Sequence, residues 1–276
     1  MLLTKLVLFS LVALLPLQTA TQTASNPKQE LNDQLFEAVR KGDLAAATAA
    51  LDHGADVNAK FRYGTTALFK AAERGNAPIA KLLLDRGADV KVKDTFYGAT
   101  AMTWAVDGKH VQVVKLLLEK GAEEVEDVLM SGVREGNADL VKAALDRGTL
   151  KPESLTVALA ISSADEKNAA ISEMLKTAGA KPPLQVDAAT LQSYAGKYKG
   201  DTGPEVTITV KDGKLFVGGF TRDPQPLLAL DNTTFRPVNF GGITLTFNVE
   251  AGKATSMTFK QGETVNQMKR TGEVSQ

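Results

Sequence analysis

The sequence predicts an α+β multidomain protein, in which an α-helical solenoid of repeated helix pairs precedes a small antiparallel β barrel or curled sheet. Glycine-terminated helical segments recur about every 33 residues in the N-terminal half. After residue 183, alternation of apolar and polar residues replaces the helical periodicity. The chain of 276 residues is also longer than one ordinary domain. Two consecutive prolines at 182–183 predict the hinge between the two parts.

Residues 1–24 predict an N-terminal signal peptide. Lys5 supplies a positive charge, and residues 6–17 form an apolar run. A helix of that length is too short to span a bilayer, which needs about 20 apolar residues. Cleavage after Ala20 or Ala24 fits the small residues of this stretch. A buried N-terminal helix or an uncleaved anchor is the alternative.

Composition excludes several classes of site and partner. Because the sequence contains no cysteine, it has no disulfides, thiolate nucleophiles or Cys-ligated zinc. Lys plus Arg and Asp plus Glu both number 32, so no whole-chain charge attracts nucleic acid or anionic lipid. An exported chain of this size without disulfides must rely on packing, and a bacterial periplasm suits this combination better than a eukaryotic secretory route. We therefore expect a periplasmic or secreted bacterial protein with no membrane span after signal cleavage and no nucleic-acid partner.

The spacing between glycines gives the length of the internal repeat. Gly42 and Gly75 follow the first helix of two successive copies and are 33 residues apart. Gly54 and Gly87 follow the second helix of the same copies and are also 33 residues apart. A third copy ends at Gly121, and its additional residue falls in a loop tip. Because one helix pair cannot bury its own apolar face, such units are expected to stack.

These copies resemble the ankyrin repeat, a unit of about 33 residues built from a β-turn and two helices. The matching motifs are Gly-Ala-Asp-Val at 54–57 and 87–90, Gly-Ala at 121–122, Leu-Leu-Leu at 82–84 and 116–118, and Thr-Ala-Leu-Phe at 66–69. The resemblance covers residues 30–182 and implies about five units, the last two degenerate. Gly148 follows Gly121 by only 27 residues, which predicts that the fourth unit lacks its hairpin.

The ankyrin resemblance places partner contacts on the concave surface, which hairpin tips and first helices form. The matching positions on the helices are Arg40, Lys41, Glu73, Arg74, Asp107 and Arg134, and those at the tips are Lys60, Phe61, Arg62, Tyr63, Phe96 and Tyr97. Aromatic residues beside arginine are typical of binding hot spots. Two alternatives stay open: some aromatics pack beneath their loops, or the charged positions form an ordinary solvated face.

Residues 188–272 predict an all-β accessory domain. A two-residue turn at Asp212 and Gly213 pairs Val210 with Leu215. Further strands are predicted at 194–199, 227–230, 234–238 and 265–270.

A second hairpin, with a three-residue loop at 251–253, is predicted to pair Phe247 with Met257. Residues 188–270 also resemble a β domain that is appended to β-lactamase-like serine hydrolases. The matching segments are 191–198, 213–215, 227–230 and 234–235. The resemblance implies an accessory role and carries no catalytic residues to this chain.

We expect no enzyme activity, no catalytic residues, no metal and no cofactor. The Ser-x-x-Lys motif of those hydrolases is matched only by Ser25 and Lys28, without the large α/β domain that the chemistry requires. His53 and His110 are the two histidines, and the sequence has no HExxH, phosphate-binding loop or nucleophile elbow.

The expected function is an exported protein–protein interaction module, which binds a folded protein partner through the concave ankyrin face. One alternative is a small-molecule or lipid binder, in which Phe216, Phe220 or Phe247 lines a cavity in the β domain. The other is an accessory or inhibitory subunit of an exported hydrolase. A filled β core with solvent-facing Phe61 and Tyr97 would favour the first function.

Overall fold

A computed structural model describes residues 26–219, 221–240 and 242–274. The predicted signal peptide and Phe220 lie outside these residues. Helix pairs stack from residue 27 to residue 177, and an eight-stranded barrel follows, which confirms the predicted fold class. In the described part of the chain, no helix has the length and apolar character needed to cross a membrane.

The solenoid consists of five helix pairs. Asn or Asp side chains cap three of the five second helices. The side chains of Asp43 and Asn76, for example, accept hydrogen bonds from the amides of Ala46 (2.9 Å) and Ile79 (3.1 Å). The helices are α1 (Pro27–Lys41), α2 (Leu44–Asp52), α3 (Ala67–Glu73), α4 (Ala77–Asp85), α5 (Ala101–Asp107), α6 (Val111–Glu119), α7 (Val125–Glu135), α8 (Ala138–Leu145), α9 (Pro152–Ser162) and α10 (Ala169–Thr177).

One continuous apolar core runs through all five pairs. Small residues such as Ala71 and Ala105 are fully buried on the first helices, and Leu83 and Leu117 are fully buried on the second helices. The small side chains let neighbouring helices approach closely, and the leucines fill the space between units. His110 has a structural position here, because its Nε2 lies 3.1 Å from the carbonyl oxygen of Glu73 in the preceding unit.

The fourth unit lacks a hairpin, as its short spacing predicted. Helix α6 ends at Glu119 and α7 begins at Val125, whereas residues 53–66 and 86–100 provide longer connections before α3 and α5. The first turn of α7 therefore has no hairpin tip in front of it.

The C-terminal domain is a closed up-and-down barrel preceded by the short helix α11 (Ala188–Tyr194). Each strand pairs antiparallel with the next, and β8 pairs with β1 to complete the ring. The strands are β1 (Gly196–Gly200), β2 (Val206–Lys211), β3 (Lys214–Gly218), β4 (Gln225–Ala229), β5 (Thr234–Pro237), β6 (Ile243–Glu250), β7 (Lys253–Gln261) and β8 (Thr264–Gly272).

The first predicted hairpin has the expected register, with Val210 opposite Leu215. Asp212 and Gly213 form its turn at φ angles of 50° and 69°. Two successive positive φ angles are typical of the type I′ turn, whose twist matches that of the flanking strands.

The second hairpin has the predicted pair of Phe247 and Met257, but the predicted loop length is wrong. Its turn contains two residues, Ala251 and Gly252, with φ angles of 50° and 77°. The register then shifts in the ladder, where Thr255 is the additional residue of a β-bulge. A shorter turn and one bulge together produce the same strand register as a three-residue loop.

Aromatic rings fill the interior of the barrel. Tyr194 inserts from α11 and stacks on Phe247 at a centroid distance of 4.5 Å, and Phe235 lies 5.7 Å from Phe247. The Tyr194 hydroxyl donates a hydrogen bond to the carbonyl of Asn232 (2.7 Å). The Tyr198 hydroxyl donates to the carbonyl of Tyr194 (2.8 Å), and burial raises the pKa of Tyr198 to about 12.

Candidate partner-binding surface

Two hairpin tips, formed by residues 60–65 and 93–99, project from the first three units. The amide of Phe61 donates to the carbonyl of Thr65 (2.8 Å) and closes the first tip. The amide of Asp94 donates to the carbonyl of Ala99 (2.9 Å) and closes the second. The amide of Thr95 donates to the carbonyl of Tyr63 (2.8 Å) and joins the two tips. The tips therefore form one backbone-bonded surface.

Asp94 holds the second tip in shape, a role that the sequence analysis missed. Its buried carboxylate accepts hydrogen bonds from the amides of Tyr97 (2.6 Å) and Phe96 (2.9 Å). These bonds, with that from Tyr97 the strongest, hold the pKa of Asp94 below its usual value. An aspartate two or three residues before the amides that it binds is the signal of an Asx turn.

The aromatic side chains at the tips form a partly exposed row, named here the tip cluster: Tyr63, Phe96, Tyr97 and Trp104. Ring centroids are 5.6 Å apart for Tyr63 and Phe96, 4.5 Å for Phe96 and Tyr97, and 6.4 Å for Tyr97 and Trp104. The Arg62 guanidinium lies over the Tyr63 ring at 4.6 Å. Trp104, on α5, was not among the predicted site residues.

Exposure separates the four predicted tip aromatics into two groups. Tyr63, Phe96 and Tyr97 are exposed to 48%, 64% and 73%. Phe61 is half-buried and packs on Phe36 with a centroid distance of 4.2 Å. Three of the four therefore face solvent, and one packs beneath its loop.

Removal of the Asp94 carboxylate is expected to loosen the second tip. In Asp94→Ala the amides of Phe96 and Tyr97 lose their buried acceptor, and such a loss costs about 1–3 kcal/mol. We expect amide hydrogen exchange at Phe96 and Tyr97 to accelerate by roughly tenfold or more. Asp94→Asn, which keeps a side-chain oxygen acceptor, is the matched control. Equal exchange rates in both variants would contradict this role.

The predicted positions on the helices lie apart from the tips. Arg40, Glu73, Arg74, Asp107 and Arg134 are in or next to the last turns of first helices, whereas the tips precede the first turns. At 1.5 Å of rise per residue, the 7 residues of α3 separate the two ends by roughly 10 Å.

Several of these charges are already paired. The Arg40 guanidinium donates two hydrogen bonds of 2.6 Å to Glu37, which also contacts Lys41 at 3.3 Å. Glu73 pairs with Lys70.

A groove of about 430 Å³ lies between α5 and α7. Its lining combines apolar side chains, Met102, Val106 and Met130, with the carboxylates of Asp107, Glu124, Glu126, Asp127 and Glu135. Burial, together with the neighbouring charges of Glu126 and Glu124, raises the pKa of Asp127. Two predicted site residues, Asp107 and Arg134, therefore line this largely acidic groove.

Comparisons with known proteins agree with this architecture. Residues 35–128 match a family model described as ankyrin repeats, in three copies. The first three helix pairs are ankyrin repeats. Residues 180–273 match a model described as a domain of unknown function (DUF3471), which includes α11 and the barrel. No curated protein matches the chain.

The barrel contacts the solenoid behind these ankyrin repeats, at α7. Leu228 and Arg236 are opposite each other on β4 and β5, and both face outward. Leu228 packs against the solenoid core, and Arg236, whose side chain is 7% exposed, forms an ion pair with Glu126. At the other end of α7, Arg134 donates a 3.2 Å hydrogen bond to the carbonyl of Asn239.

Proposed function

We propose that this chain is an exported, non-catalytic interaction module, and that its ankyrin repeats bind a folded protein partner at the tip cluster and the adjoining concave face. The observation that carries the proposal is the exposure of Tyr63, Phe96 and Tyr97 on tips that backbone hydrogen bonds hold in place. Rigid aromatic anchors contribute much binding energy because they lose little conformational entropy when a partner binds.

Export to a bacterial periplasm or extracellular space is part of the proposal. Its support is the charged and apolar pattern of residues 1–24 and the absence of cysteine. For the C-terminal domain we propose an accessory role, as the resemblance to hydrolase-associated β domains implies. Its contacts with α7 support a role in holding the solenoid.

The small-molecule alternative has weaker support. Its cavity would be lined by Phe216 or Phe247, but Phe247 is packed between Tyr194 and Phe235. Phe216 alternates with the buried Leu215 and Val217 along β3 and therefore points to the outer face of the barrel.

The proposed function predicts that a variant with Arg62, Tyr63, Phe96 and Tyr97 all changed to alanine loses its partner. Two hot spots of about 2 kcal/mol each would weaken binding roughly 1,000-fold. The measurement is cross-linking capture of the partner by the tagged full chain from the exported fraction, quantified against the unsubstituted chain.

The control changes Leu184, Val249 and Val265 to alanine, because these exposed apolar side chains lie outside the tips. Capture should persist in the control and disappear in the tip variant. Undiminished capture by a folded tip variant would refute the proposed site.

A further inference from the structure

The exposed charges at the tips are all positive. Residues 60–64 and 93–98 contain Lys60, Arg62 and Lys93, which are exposed, and a single carboxylate, Asp94. Asp94 is buried and its carboxylate accepts hydrogen bonds from the amides of its own loop, so it is not available to pair with a cation of a partner. Within the described ranges, no ion pair joins Lys60, Arg62 or Lys93 to an acidic side chain.

Most other cations of the same units are paired in the described structure, with Arg74 and Lys115 among the exceptions. The paired ones include Arg40 with Glu37, Lys70 with Glu73, Lys81 and Lys120 with Asp85, Arg86 with Asp52, and Lys91 with Glu123. The tip cations are thus left available for carboxylates from outside the chain, next to apolar rings that a partner can cover.

We infer that the tip cluster binds an acidic segment of the partner protein, in which carboxylates alternate with apolar or aromatic side chains. The inference rests on the proposed function and names the chemistry of its partner. Carboxylates would pair with Lys60, Arg62 and Lys93, while the apolar side chains pack on Tyr63, Phe96 and Tyr97. Complementary charge at an interface raises the association rate and fixes the register of the two surfaces.

The neighbouring groove favours a protein segment over a uniform polyanion. Helix α5 carries Trp104, which contacts Tyr97, and also Asp107, which lines the acidic groove with Glu124 and Asp127. A long polyanion that extended from the tips along the concave face would meet these carboxylates. A short acidic segment ends before it reaches them.

The test uses the full chain and a fluorescently labelled random copolymer of glutamate and tyrosine as the probe, with binding followed by anisotropy. We expect saturable binding that weakens about tenfold in Lys60→Glu/Arg62→Glu/Lys93→Glu and also weakens as salt is raised. The matched control, Lys142→Glu/Arg147→Glu/Lys151→Glu, makes the same charge change on exposed residues of the fourth unit and its following loop. It should bind the probe nearly as well as the unsubstituted chain.

The following comparisons decide the outcome. Binding of polyglutamate as tight as that of the probe would overturn the inference, since the rings would then contribute nothing. Equally tight binding of single-stranded DNA would also overturn it, because bases can stack on the rings and the site would then not prefer an acidic protein segment. Equal weakening in both triple variants, or preference for a lysine–tyrosine copolymer, would overturn it as well. If the probe fails to bind while the tip alanine variant still loses its natural partner, this inference fails and the proposed function stands.

Discussion

Replacement of Phe247 with alanine should lower the free energy of unfolding of the barrel by about 3–5 kcal/mol. Phe247 is 2% exposed, and its ring contacts Tyr194, Tyr198 and Phe235. Alanine would remove the ring that the other three contact and would leave a cavity. The strands of a closed, hydrogen-bonded barrel cannot move together to fill it. Most of the loss should therefore remain after relaxation.

Urea unfolding followed by two signals would measure this effect. Trp104 is the single tryptophan and lies in the solenoid, so its fluorescence reports that part alone, whereas far-UV circular dichroism reports both parts. We expect Phe247→Ala to shift the dichroism transition to lower urea and to leave most of the Trp104 transition in place. Val265→Ala, at a residue that is 55% exposed on β8, should change stability by less than about 0.5 kcal/mol. Similar shifts in both variants would contradict the packed interior.

Glu126→Ala should remove the ion pair between barrel and solenoid, at a cost of about 3 kcal/mol. Arg236 is almost completely buried, and in the described structure its Nε has no hydrogen-bond partner. Without Glu126 its charge would stay out of water with no counter-charge. The reverse change, Arg236→Leu, should cost less, because the Glu126 side chain is 35% exposed and water can solvate it.

A double variant that replaces both members tests whether the unpaired buried charge causes the loss. Glu126→Leu/Arg236→Leu should be closer in stability to the unsubstituted chain than Glu126→Ala is, since the apolar pair leaves no buried charge. Glu123→Ala, which removes an exposed carboxylate three residues earlier, is the control and should cost under about 1 kcal/mol. If Glu126→Ala and Glu123→Ala behave alike in urea, the ion pair does not hold the domains together.

Features that depend on neighbouring residues were predictable from the sequence. The glycine spacing identified the repeat because each helix pair makes its own turns, and the 27-residue interval identified the missing hairpin. The Val210–Leu215 register followed from one turn and one alternation pattern. At the second hairpin the predicted strand register was correct although the predicted loop length was wrong. The apolar face of each strand must meet the core whatever the turn, and this requirement sets the register.

Features that depend on distant residues were not predictable. Glu126 and Arg236 are 110 positions apart in the sequence. From the sequence alone, an arginine on the outward face of a short strand is expected to be exposed to solvent. The half-burial of Phe61 depended on whether Phe36, on a neighbouring helix, lay beneath the loop. The acidic groove was likewise not predictable, because its carboxylates come together only when α5 and α7 lie side by side.

The barrel is closed by pairing of β1 with β8, and this closure affects how readily the chain aggregates at high concentration. An open sheet ends in strands whose free amides and carbonyls can recruit a second molecule and start a fibril. Here the ladder returns to its first strand, so the β domain offers little template for such recruitment. We therefore expect any self-association at high concentration to begin at the exposed aromatic tips rather than at a sheet edge.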